Sequence, residues 1–240
     1  MKYLQLAVLA AATFSFAPAI ADTPTTPPLV VFDATRLREG VFKYELRRNG
    51  ELLGISTIEV RREKADEFLI FMDAQEIAQR WSARIGRRFN PLAAKLEIFS
   101  GAKPYRMSLL YSDTQVSGTE VKQGPNGPVT TKVKATLQRQ VVDQRVDWAA
   151  MMAAQFGKEK SIEFDVYDPG TGFSRLVGTK TDVPAVAGAL EKLPAIRFDY
   201  TIHKKDHIEA YSVYGSQLEP RIMLREDMPN GLVALLVASD

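Results

Sequence analysis

The 240-residue chain has no cysteine and only two histidines. Without thiols there are no disulfides, thiolate zinc sites or cysteine nucleophiles. A lipid anchor added at a signal-cleavage point is excluded for the same reason. A serine triad would have to draw its base from His203 or His207, which lie within one short stretch. Charge of one sign is also lacking. Against 29 acidic residues stand 31 basic ones, a net charge of +2, which points to neither a nucleic-acid surface nor an acidic polymer. There is no glycine-lysine phosphate loop, no G-x-S-x-G elbow and no H-E-x-x-H. "DPGTGFS" (168–174) has the composition of a strand-to-strand turn, not of a dinucleotide loop.

What is present begins with an address. Met1-Lys2 is followed by an apolar stretch from Tyr3 to Phe16 and by Ala19-Ile20-Ala21, a small-x-small cleavage form. Residues 1–21 are therefore expected to be a signal peptide, giving a periplasmic protein that is exported and not lipid-anchored. The run is interrupted at Pro18, and no later run reaches the roughly 20 apolar residues of a spanning helix. "DTPTTPP" opens a flexible, proline-rich lead assigned to 22–37, and 38–240 is expected to form one β-rich domain. About 220 residues suffice for a single core without covalent cross-links.

From Val41 onward the dominant period is two, the pattern of half-buried strands. In "FKYELRRNGELLGISTIEV" (42–60) the Asn49-Gly50 pair predicts a two-residue hairpin turn. A regular ladder from that turn sets Leu46 against Leu53, Tyr44 against Ile55 and Phe42 against Thr57. The parity break at Ile58 and Val60 then predicts a bulge near Thr57. Glu67–Gln75 reads as a strand with apolar residues on both faces, so its second face should be covered. Ile77, Trp81 and Ile85 are spaced as one face of a short helix stopped at Gly86, with a strand as the competing reading. "VDWAAMMAAQFG" (146–157) is the best helix, with Asp147 as its cap and Gly157 at its end. The expected fold is mainly β: a single curved antiparallel sheet of about ten strands, a half-barrel or near-closed barrel, with one or two short helices.

Four groups of residues are candidates for chemistry. With Lys204–Asp206 as a three-residue turn, His203 would face His207 across a hairpin and compete as a metal site with a plain solvated tip. Asp165, Asp168 and Asp199 are the carboxylates an exported hydrolase would need to bring together. Arg84, Arg87 and Arg88, beside Trp81 and Phe89, suit either an anionic membrane surface or a wet helix end. Trp148, Met151, Met152 and Phe156 form a bulky, adaptable stripe that seals a sheet or lines a pocket.

The pieces "FKYELRRNGELLGISTIEV", "RRFNPLAAKLEIFSGAKPYRMSLLYS", "VDWAAMMAAQFGKEKSIEFDVYD" and "LEPRIMLREDMPNGLVALLVAS" follow in an order that resembles the bacterial exported domain-of-unknown-function family 3108. The likeness runs from about residue 38 to 239 and contains no catalytic motif. After Asp147, "AAMMAAQF" replaces that family's commoner aromatic and arginine-containing helix. The resemblance implies an open, strongly curved sheet like that of the lipoprotein carriers, with a helical lid over an apolar concave face. Trp81, Trp148, Met151, Met152 and Phe156 are then the ligand-binding candidates. The expected function is non-catalytic and cofactor-free: holding or transferring a lipid-like apolar ligand in the periplasm. An envelope protein that binds another protein and an exported hydrolase are the alternatives.

Overall fold

A computed structural model describes residues 29–99, 104–137, 140–158, 160–186 and 193–239; the expected signal peptide lies outside the described residues. The strands are β1 (Gly40–Arg48), β2 (Glu51–Lys64), β3 (Glu67–Ala74), β4 (Gln79–Gly86), β5 (Pro91–Ile98), β6 (Tyr105–Tyr111), β7 (Gln115–Gly124) and β8 (Gly127–Thr136). They continue, around one helix, with β9 (Val141–Asp143), α1 (Asp147–Ala153), β10 (Ser161–Asp168), β11 (Gly172–Val183), β12 (Ala195–His203), β13 (Ile208–Ser216), β14 (Met223–Asp227) and β15 (Leu232–Ser239).

All fifteen strands belong to one sheet in the order β8-β7-β6-β5-β4-β3-β2-β1-β15-β14-β13-β12-β11-β10-β9. Chain neighbours are thus sheet neighbours nearly throughout, and β1 meets β15 in the middle. The mainly β class is as expected, with more strands than the ten anticipated. The sheet is mixed in one respect, since β9 runs parallel to β10. It does not close by hydrogen bonding. It rolls until Val141 of β9 and Tyr167 of β10 pack with Ala94 of β5, Met107 and Leu109 of β6, and Val116 of β7. The Tyr111 hydroxyl donates to Asp143 at 2.5 Å across this overlap.

Bulges bend the sheet. Asn49 and Gly50 both adopt positive φ, 52° and 89°, as the predicted tight turn requires. Arg48 then pairs with Glu51 and Arg47 with Leu52, but Leu46 pairs with Gly54. Leu53 is the extra residue, so the break falls earlier than Thr57 and the expected partners of Leu46, Tyr44 and Phe42 shift by one. Ser56, Ile58 and Val60 are buried on the face of Phe42, Tyr44 and Leu46, while Ile55 is 43% exposed. Gly54, at φ 152°, leaves room for the Glu76 side chain, whose Cγ would lie 1.9 Å from a Cβ there. Further register shifts occur at Lys43/Tyr44, Arg62/Lys64, Arg84/Ile85 and Tyr214/Gly215. Each added residue locally increases strand twist and bend.

Inside the roll lies α1, every residue of which is buried. Its Met151 and Met152 seat over Gly178 of β11 and Gly215 of β13, where a Cβ would come within 2.3 Å and 3.3 Å of the two methionine Cε atoms. The helix is shorter than its sequence pattern predicts. Ala154 turns extended and bridges to Phe32, and the Gln155 amide bonds to Val31, so Gln155 and Phe156 leave the helix before Gly157. The segment supplying that partner was expected to belong to a flexible lead. Phe32, Ala34 and Leu37 are instead part of the core. The anticipated helix around Trp81 is strand β4, preceded by a single 3-10 turn over Gln75–Ile77, because residues 79–86 pair with β3 and β5 on both sides.

Candidate ligand cavity at the N-terminal end of the helix

The two ends of α1 are finished differently. At its C-terminal end the last carbonyls, which no intrahelical amide can reach, are taken by arginines. Arg221 Nη1 donates to the Met152 carbonyl at 2.5 Å, and Arg36 Nη1 donates to the Ala154 carbonyl at 2.8 Å. Both guanidiniums also pair with Glu219. At its N-terminal end the core is incomplete, leaving a cavity of about 240 Å³. Its apolar wall comes from Leu46, Ile58, Met72, Ile77, Trp81, Trp148, Met228, Leu232 and Ala234, and its polar groups from Ser56, Gln79, Gln144, Arg145, Asp147, Tyr211 and Glu226. The volume equals that of about eight water molecules at roughly 30 Å³ each.

Two carboxyls dominate the electrostatics. Asp147 is 5% exposed and is the first residue of the helix, not its cap, a position held by Val146. Its Oδ1 accepts from the Trp148 amide at 2.6 Å and from the Tyr200 hydroxyl at 3.3 Å. Burial nevertheless pushes its pKa up to about 7, against the pull of these hydrogen bonds. Glu226, on the inner face of β14 between Val213 and Ala234, is 8% exposed. Among the described residues its carboxyl meets no hydrogen-bond donor and no cation. Burial first, and then the like charges of Asp147 and Asp227, push its pKa up to about 8. Near neutral pH burial therefore favours the protonated form of Glu226 and, less strongly, that of Asp147.

Arg145 shares the cavity wall but not its charge. Its Nη2 donates to Asp143 at 2.6 Å and its Nη1 to Asp168 at 3.0 Å. Burial opposes its ionisation, and the neighbouring carboxylates outweigh burial and hold it protonated. Tyr211 stacks on Tyr200 with ring centroids 5.0 Å apart and donates to Glu209 at 2.8 Å, so its hydroxyl is also occupied.

Of the sequence-predicted ligand residues, Trp81 and Trp148 line this cavity from opposite sides, β4 and α1. Met151 and Met152 face the glycines at the filled end. Phe156 lies beyond the helix against Phe198, its rings 5.6 Å apart, with the Lys180 ammonium above it at 5.5 Å. Asp165, Asp168 and Asp199 are engaged separately by Arg175, Arg145 and Arg197. His203 pairs across its hairpin with Ile208 rather than with His207. His207 bonds instead to Asp206 and Glu209. Arg84 and Arg87 belong to a strand and the turn after it, not to a helix end, and pair with Glu63, Glu67 and Asp33. Phe89, expected beside them at a surface, is fully buried.

Glu226 was not singled out by the sequence. Within "PRIMLRED" nothing marks it out from the neighbouring charged residues. A register shift leaves Leu224, two residues before it, as an extra residue, and the inner-face pairing with Val213 and Ala234 sets its direction. No family model, no curated protein and no solved structure shows a significant match to this chain. No helix among the described residues is long and apolar enough to cross a membrane.

Proposed function

We propose that the chain is a non-catalytic, exported binding protein that holds a small apolar ligand, or the apolar end of a lipid-like one, in the cavity beside Trp81 and Trp148. The single observation that carries this reading is the 240 Å³ space at the N-terminal end of the helix, walled mainly by large apolar side chains. Close packing is the rule in protein interiors, and a void of this size forfeits contacts along its whole lining. An occupant restores them, at about 0.8 kcal/mol per buried methylene. The volume lies just below the usual range for drug-sized ligands, which selects a short chain or single ring over a whole acyl lipid. Periplasmic residence and membership of the resembled exported family form part of the same proposal. The strongly curved open sheet with a helix on its inner face supports it.

The chain's two tryptophans both line the cavity, so their fluorescence reports its occupancy. Titration with hexan-1-ol is expected to change the emission saturably. The change should disappear when Ala234→Leu fills the space and weaken when Ser56→Val narrows it. A response that is unsaturable, or that persists unchanged in both variants, would overturn the reading.

A further inference from the structure

The cavity contains an unbalanced chemistry that its apolar walls do not explain. Glu226 is more than nine-tenths buried, contributes to the lining and has no partner among the described residues. A buried carboxyl without a donor or cation is costly, and the cost is relieved by a proton, by water or, most strongly, by a positively charged occupant. The Arg145 guanidinium is already shared between Asp143 and Asp168. Asp147 adds a second carboxyl to the same cavity. Among the described residues no three acidic or histidine side chains converge as metal ligands. Trp81, Trp148 and Tyr211 add aromatic surfaces, which favour organic cations.

We propose that Asp147 and Glu226 receive the ammonium group of a short aliphatic or cyclic amine, whose apolar part lies against Trp81, Trp148 and Met72. This rests on the reading of the cavity as a ligand site and names the ligand's class. An ammonium offers three donors, matching a cavity lined by two carboxyls. At roughly 30 Å³ per non-hydrogen atom, the cavity takes an amine of about seven or eight such atoms.

Entry of the cation makes both carboxyls release their protons. The titratable groups facing Glu226 are Asp147 of α1, Tyr44 of β1, Tyr200 of β12, Tyr211 of β13 and Asp227 on its own strand. The three tyrosines are held protonated by burial and by the nearby carboxyls, so the protons released near neutral pH come from Asp147 and Glu226. Affinity for an amine should therefore rise from near pH 6 to near pH 8.

The test is calorimetric titration of the whole chain with hexan-1-amine, hexan-1-ol and hexanoate, in two buffers of different ionisation enthalpy. The expected result is an amine bound about tenfold or more tightly than the alcohol or the carboxylate, with about one proton released per amine near pH 7. Glu226→Gln should remove most of the preference for the amine over hexan-1-ol. Equal binding of amine and alcohol, or amine binding without proton release, would overturn the amine assignment and leave the cavity reading standing. Failure of all three probes to bind would overturn both. Proton release is read on the unaltered protein, so the decision does not depend on how the variant folds.

Discussion

One seven-residue helix has a closed end and a hollow end. At the closed end Met151 and Met152 fill the space over Gly178 and Gly215, and Arg36 and Arg221 satisfy the last carbonyls. At the hollow end Trp148 borders empty volume and Glu226 faces it without a partner. The closed end is filled and has its last helix carbonyls satisfied, although Arg221 Nε there is buried without a hydrogen-bond partner. The hollow end combines unfilled volume with an unpartnered carboxyl in one cavity. A helix added only to seal the roll would have no need of that asymmetry, so the functional reading belongs at the hollow end.

Matched substitutions at the two ends should separate them most. Met152→Ala is expected to cost about 3 to 4 kcal/mol in urea unfolding, because it opens a new void in packed surroundings. Met72→Ala, which only enlarges an existing space, should cost about 1 kcal/mol. Equal losses would break the contrast between filled and hollow ends.

Additions should give the mirror image. Gly178→Val forces branched bulk against Met151 and the Tyr200 Cβ, 3.2 Å from where a Cβ would lie, and is expected to destabilise by about 2 to 3 kcal/mol. Ser56→Val points into free volume and should change stability by less than about 1 kcal/mol while lowering affinity for hexan-1-ol. Unfolding midpoints and the fluorescence titration measure the two effects.

The remaining contrast is electrostatic and has a definite sign. The folded-state pKa values of Asp147 and Glu226 lie near 7 and 8, above their ordinary values of 3.8 and 4.5. Between those limits the folded chain binds more protons than the unfolded chain, so these groups make stability fall as pH rises. Glu226→Gln removes one of the two contributions. The variant should be more stable than the parent by about 4 to 5 kcal/mol near pH 9, where the carboxyl must ionise in its desolvated site, and should show a shallower decline from pH 5. An unchanged pH slope in urea unfolding would show that the carboxyl is not held in a desolvated site.

Much of the frame was legible. Asn49-Gly50 identified its hairpin because a tight turn with two positive φ values is a local requirement. The β3 alternation set Phe68, Ile70 and Met72 on one face, where Phe68 and Ile70 are buried, while Leu69 and Phe71, on the face expected to be covered, are only half-buried. The Trp81 segment misled because Ile77, Trp81 and Ile85 share helical spacing, and pairing on both edges overrode it. Of the site, Trp81, Trp148 and Asp147 were visible as bulky or capping residues, although neither the cavity nor Glu226 could be seen.

Sequence alone determined a cysteine-free, strand-dominated chain with a buried Met and Trp helix, because alternation, turn chemistry and side-chain volume act over a few neighbouring residues. Tertiary structure decided the rest. The bulges at Leu53 and Leu224 reset which residues face inward, and the roll brought Asp147 of the helix to Glu226 of a distant strand. A one-residue shift reverses every side chain beyond it, and that shift is fixed by pairing partners far away in the chain.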